Sequence, residues 1–125
     1  MAMTEVYEST EPTRESIDAR PGLLVLEFGT AWCGYCRAAQ PLIAQALKAH
    51  PAVDHMKIED GSGRLLGRSF RIKLWPSLIF LRDGQEVARL VRPGSVREVE
   101  QALQKLVPPQ ADPRQAQVGI DQENS

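Results

Sequence analysis

The run Leu23-Leu24-Val25-Leu26-Glu27-Phe28, followed after three residues by Trp32-Cys33-Gly34-Tyr35-Cys36, decides how this chain folds. The first segment is apolar almost without alternation, the pattern of a strand covered on both faces, as in the parallel part of an α/β sheet. The second holds both cysteines of the chain and so places a thiol pair on a loop at the end of a buried strand. Two cysteines separated by two residues can close a small disulfide ring, and the second thiolate can expel a mixed disulfide that the first has formed. The functional reading is thiol–disulfide exchange; half of a zinc site and two inert core cysteines are the alternatives.

Downstream, apolar residues at Ala38, Ala39, Leu42, Ile43, Ala46 and Leu47 recur with helical spacing, so a helix is expected from Gly34 to about His50, bent by Pro41 and ended by Pro51. Val53 to Ile58 reads as a strand, and Gly61-Ser62-Gly63 opens a short helix with Leu65, Leu66 and Phe70 on one side. Trp75-Pro76 precedes the strand Ser77 to Leu81, Asp83-Gly84 signals a hairpin, and Glu86 to Val91 should return antiparallel. Ser95-x-x-Glu98 is a capping box for a last helix with Val96, Val99, Ala102, Leu103 and Leu106 on its buried stripe. Upstream, Thr4 to Glu8 reads as a short edge strand and Thr13 to Arg20 as a helix ended by Pro21-Gly22. The order β-α-β-α-β-α-β-β-α predicts an α/β fold: a central mixed sheet of four to five strands with helices on both faces. In such sheets sites lie beyond the carboxyl ends of the parallel strands, where the cysteine loop falls.

The totals narrow the function. The chain has 125 residues, 42% of them hydrophobic, enough for one domain, here 1–107; the polar stretch 108–125 is expected to be a disordered tail. A formal charge of −1 supplies no basic stripe for nucleic acid and no polybasic patch for a membrane. No apolar run approaches the ~20 residues of a membrane span, and the start has no secretory pattern, so a cytoplasmic location is expected. In that reducing compartment a cysteine pair points to chemistry rather than to a structural staple. Zinc would need about four ligands, and neither His50 nor His55 stands in a ligand spacing to the pair, so no metal is expected; both histidines read as surface residues.

Taken in order, Glu27-Phe28, Trp32 to Cys36, Pro41, Lys57, Trp75-Pro76-Ser77, Asp83-Gly84 and Gly94 match a family pattern: acid-aromatic-x-x-x-Trp-Cys-x-x-Cys, a helix proline, a strand lysine, a residue-Pro-Thr turn, a hairpin, and a glycine before the last helix. Over about residues 4–107 the chain resembles the thioredoxin family, and the resemblance implies the thioredoxin fold and thiol–disulfide oxidoreductase activity. Cys33, at a helix N-terminus where free N–H groups and the helix dipole favour thiolate, is the expected nucleophile, and Cys36, one turn further in, the resolving thiol. The resemblance gives Glu27 the role of proton relay beneath Cys36, with Lys57 as its countercharge, and makes Trp75-Pro76 a cis bond facing the cysteines. It assigns substrate contact to Trp32, Gly34, Tyr35, Leu74, Trp75, Pro76 and Gly94, with Trp32, Leu74 and Trp75 as an apolar lip. It also implies that no cofactor is bound, that electrons come from NADPH through a separate thioredoxin-reductase-type donor, that the partners are disulfide-containing proteins, and that the chain acts as a monomer.

Two positions depart from ordinary thioredoxins: Tyr35 stands where they carry proline, and Leu74-Trp75 replaces a smaller pair. Cys-Gly-Tyr-Cys is similar to the pair in periplasmic disulfide isomerases and some glutaredoxins, so the direction of electron flow is open. No dimerisation domain supports an isomerase, and no downstream Gly-Gly pair supports a glutaredoxin. The rival class is a non-catalytic binding module whose cysteines serve as a redox latch.

Overall fold

The computed structural model of the chain describes residues 7, 8 and 10–107. The elements follow the predicted order: β1 (Tyr7–Glu8), α1 (Arg14–Asp18), β2 (Leu23–Gly29), α2 (Gly34–Lys48), β3 (Val53–Glu59), α3 (Leu65–Ser69), β4 (Ser77–Arg82), β5 (Gln85–Val91) and α4 (Val96–Leu106). They build one five-stranded sheet in the order β1-β3-β2-β4-β5. β1, β3 and β2 are parallel, β4 runs antiparallel to β2, and β5 returns antiparallel to β4, in the direction of β2. The edge strand expected over Thr4 to Glu8 is seen at Tyr7–Glu8; its residues 4–6 and the expected tail 108–125 lie outside the described residues.

β2 explains the layering. Leu24, Leu26 and Phe28 point to one face, into a cluster with Ile17 of α1 and Leu66 and Phe70 around α3. Val25 points to the other, against Ala39, Ile43 and Leu47 of α2 and Val99 and Leu103 of α4. Both faces being covered, the strand tolerates apolar residues at consecutive positions, and each fully buried Leu or Phe contributes roughly 1.5–3 kcal/mol. Glu27 shares Val25's parity and therefore lies under α2.

Local chemistry sets the ends. Ser95 Oγ accepts from the Glu98 N–H at 3.2 Å, while the Glu98 carboxylate accepts from the Gly94 N–H at 2.9 Å, one residue before the cap. Asp83 (φ 50°) and Gly84 (φ 81°) are both left-handed, the conformation a two-residue hairpin loop needs. α3 departs from expectation on one side chain: Leu65 is exposed, and only Leu66 and Phe70 are buried. Its first N–H groups, at Leu65 and Leu66, are taken by the Glu11 carboxylate, 54 and 55 residues earlier in the chain. With Leu66 and Phe70 packed into the core, Leu65 faces out.

Candidate active site

β2 ends at Gly29, and after Thr30 and Ala31 the chain reaches the exposed Trp32 and then Cys33, the N-cap of α2. Cys33 has extended backbone angles, and its Sγ accepts the Cys36 N–H at 3.2 Å. The thiol thus occupies the place of the usual Ser or Asp cap, with its sulfur on a backbone N–H at the helix start. α2 runs fifteen residues, with Pro41 exposed inside it. Both cysteines are free thiols; Cys33 keeps 8% of its surface and Cys36 only 1%.

Cys36 sits directly on Gly29. A Cβ at Gly29 would come within 2.5 Å of Cys36 Sγ and 2.8 Å of the Tyr7 hydroxyl, so the sheet approaches the helix here because residue 29 has no side chain. Burial, with the neighbouring Cys33 next in weight, pushes the Cys36 thiol up to about 11; the Thr30 backbone and the Tyr7 hydroxyl act the other way. The Tyr7 hydroxyl is itself held well above the usual phenol range by burial and then by the charge of Glu27. Its contact with Cys36 is a loose one: the hydroxyl has no well-formed hydrogen bond among the described residues.

Beneath the cysteines lies a row of polar residues across the sheet. Tyr7 is registered with Lys57, and Lys57 with Glu27. Glu27 is fully buried and Lys57 nearly so. A buried carboxylate must be compensated, at a cost otherwise of several kcal/mol. Glu27 Oε2 accepts from Gln40 Nε2, and its Oε1 lies 2.9 Å from His55 Nε2. Gln40 also donates to the Cys36 carbonyl at 3.0 Å and accepts from Lys57 Nζ at 2.9 Å. Lys57 therefore reaches Glu27 through Gln40, and its ammonium stands 4.4 Å from the centre of the Tyr7 ring.

His55 corrects the sequence reading. It is buried, 4% exposed, and held against Glu27; the other histidine, His50, is half-buried at the end of α2. His55 lies two residues before Lys57 on a strand with one face under α2, and that parity was the available signal. Gln40 and Tyr7 carried no signal in the sequence, since each matters through a partner far away in the chain.

The opposite wall is made by the β4 entry. The Trp75–Pro76 peptide is cis, Pro76 is buried, and Leu74 is half-exposed. Trp75 packs edge-on against Trp32, ring centres 5.6 Å apart, and its Nε1 donates to Asp60. Arg92, also unforeseen, closes this wall: its N–H donates to the Pro76 carbonyl, its Nε to the Trp75 carbonyl, and its guanidinium lies 3.9 Å over the exposed Tyr35 ring. Gly94 stands one residue before the α4 cap, its N–H on Glu98. Gly34 is exposed in open space at the first position of α2. Among the described residues, no group of three or more His, Cys, Asp or Glu is arranged to hold a metal ion.

A family model described as thioredoxin matches residues 5–105. Thioredoxin 2 from Pseudomonas aeruginosa, solved in its reduced form, is 53% identical with a TM-score of 0.76, over 83% of this chain and 96% of that one. A thioredoxin H-type from Fagopyrum esculentum is 32% identical over 91 residues, 73% of this chain and 78% of its own. One from Nicotiana tabacum, H-type 1, is 28% identical over 105 residues, 84% and 82% of the two chains. With a thiol at the N-cap of α2, a second thiol buried behind it and a match across the whole sheet, the chain belongs to the thioredoxin family of thiol–disulfide oxidoreductases.

Proposed function

We propose that the protein reduces disulfide bonds of other proteins, with Cys33 as nucleophile and Cys36 as resolving thiol. The observation that carries this reading is the inequality of the two thiols: Cys33 Sγ receives a backbone N–H at a helix start, whereas burial holds the Cys36 proton to about pH 11. The Cys33 thiolate attacks one sulfur of the substrate disulfide and expels the other as a thiolate, leaving a mixed disulfide. Cys36 then gives up its proton and attacks Cys33 Sγ; the second substrate thiolate leaves, and the enzyme ends with a Cys33–Cys36 disulfide. Two electrons have passed to the substrate. Glu27 is the acceptor for the Cys36 proton, and Gln40, bonded to both the Glu27 carboxylate and the Cys36 carbonyl, ties that acceptor to the helix.

The exposed Trp32, Tyr35 and Leu74 suit an extended polypeptide laid beside Pro76, strand-addition fashion. NADPH, acting through a separate reductase, restores the dithiol in a reducing, cytoplasmic setting, and the protein works as a monomer. Among the described residues no helix is long and apolar enough to cross a membrane. The test is turnover of insulin disulfides with NADPH and thioredoxin reductase. Sustained NADPH consumption that is lost in Cys33→Ser is expected; no turnover, with target binding intact in Cys33→Ser, would make the chain a binding module.

A further inference from the structure

Beside the cysteine lip lies a shallow groove of about 470 Å³ walled by Asp60, Arg64, Arg68, Arg71, Lys73 and Trp75, among others. Trp75 is shared: it lines the groove and also packs against Trp32, the residue before Cys33. Four of those six side chains are cationic, in a chain whose formal charge is −1, so the groove does not simply reflect a basic composition. The acidic groups nearby are already engaged. Glu59 pairs with Arg64 at 3.0 Å, and Asp60 accepts from Trp75 Nε1 at 2.9 Å. The Asp60 carboxylate also lies close against Gly67, where a Cβ would overlap it. Arg68, Arg71 and Lys73 are exposed, and none of them forms an ion pair among the described residues.

We propose that this groove receives acidic side chains of the substrate polypeptide, so that target disulfides with Asp or Glu within about five residues of the attacked cysteine are preferred. The proposal rests on the reductase reading. A substrate strand lying along Leu74-Trp75-Pro76 continues past Trp75 into the groove at ~3.3 Å per residue, which brings a flanking carboxylate over Arg71 and Lys73. Lengthwise placement of charge beside an apolar lip gives orientation to the substrate as well as attraction: the lip accepts the chain, and the cations select which way it runs.

The test uses three disulfide-linked peptides of one length whose flanks carry Asp/Glu, Ser/Gln or Lys, reduced by the full chain at low salt. A kcat/KM ratio of acidic to neutral peptide of roughly three to ten is expected, carried by KM, and it should collapse toward one in 0.5 M NaCl and in Arg71→Glu/Lys73→Glu. A ratio of one at low salt, or a ratio indifferent to that double variant, would overturn the proposal. Anisotropy of the labelled peptides on Cys33→Ser/Cys36→Ser protein separates the two readings. If nothing is reduced, preferential binding of the acidic peptide still supports the groove and condemns only the reductase reading, while equal binding overturns the groove. Stronger competition by a single-stranded DNA oligonucleotide than by the unlabelled acidic peptide would reassign the groove to nucleic acid and overturn it too.

Discussion

Glu27 Oε1 lies 2.9 Å from His55 Nε2 with both side chains wholly excluded from solvent. The two strands that carry them are parallel neighbours, and Lys57, not His55, is Glu27's register partner; His55 reaches the carboxylate diagonally across the sheet. Removing either partner leaves the other buried with an unmet polar atom. His55→Val should therefore cost about 1–3 kcal/mol, and Glu27→Leu/His55→Val should cost less than the sum of the two single changes, because the second change removes a partner that the first has already stranded. Urea unfolding of the two singles and the double closes the cycle; strictly additive losses would show the pair to be uncoupled.

Glu27 has a second consequence, for rate. Its carboxylate lies under the helix that carries Cys36 and is bonded to Gln40, which also holds the Cys36 carbonyl. Glu27→Gln preserves shape and removes the proton acceptor, so reduction of a protein disulfide near neutral pH should slow about 10- to 100-fold. Stopped-flow rates from pH 6 to 9 read this directly, and an unchanged profile would reject the relay.

The thiols should be chemically distinct. At pH 7 limiting iodoacetamide should label Cys33 alone, and Cys36 in a Cys33→Ser protein, where burial still raises its thiol, should label slowly until the pH is alkaline. Since folding raises the affinity of Cys36 for its proton, this group's stabilising contribution is complete below the ordinary thiol range and lost as pH rises through about 11. The Tyr7 hydroxyl favours the Cys36 thiolate, so Tyr7→Phe should move the labelling curve further up and slow resolution of the mixed disulfide. Labelling of both cysteines in parallel at pH 7 would contradict the inequality.

Gly29→Ala tests the packing under the site. The added Cβ would overlap Cys36 Sγ and crowd the Tyr7 hydroxyl, and overpacking of this kind typically costs 1–3 kcal/mol. Thermal unfolding should show a lowered Tm together with slower disulfide reduction. A variant as stable and as fast as the parent would mean that helix and sheet separate easily at this point.

Much of this arrangement was legible in the chain before any coordinates. The nearly continuous apolar run from Leu23 to Phe28 marked β2 as a strand covered on both faces, Asp83-Gly84 placed the hairpin, and Ser95-x-x-Glu98 placed α4, because each is a local rule acting over a few residues. The cysteine spacing carried the chemistry in the same way. What stayed hidden depends on contacts between distant segments. Glu11 caps α3 from 54 residues away, His55 is drawn inward by Glu27, and Arg92 folds back over Tyr35 and the Trp75 carbonyl. The exposed Leu65 belongs to the same class, since so short a helix is oriented by its tertiary partners, the core around Leu66 and Phe70 and the Glu11 cap.

Mass spectrometry of trapped intermediates tests the central claim most directly. Cys36→Ser protein mixed with a disulfide-bonded protein substrate should accumulate a mixed disulfide at Cys33, because the second thiol that would release it is gone. The unaltered chain should release reduced substrate and retain no adduct, and Cys33→Ser should form none under the same conditions. Adducts at Cys36 in Cys33→Ser protein at the same rate, or no adduct at Cys33 in Cys36→Ser protein, would contradict the assignment of nucleophile and resolving thiol.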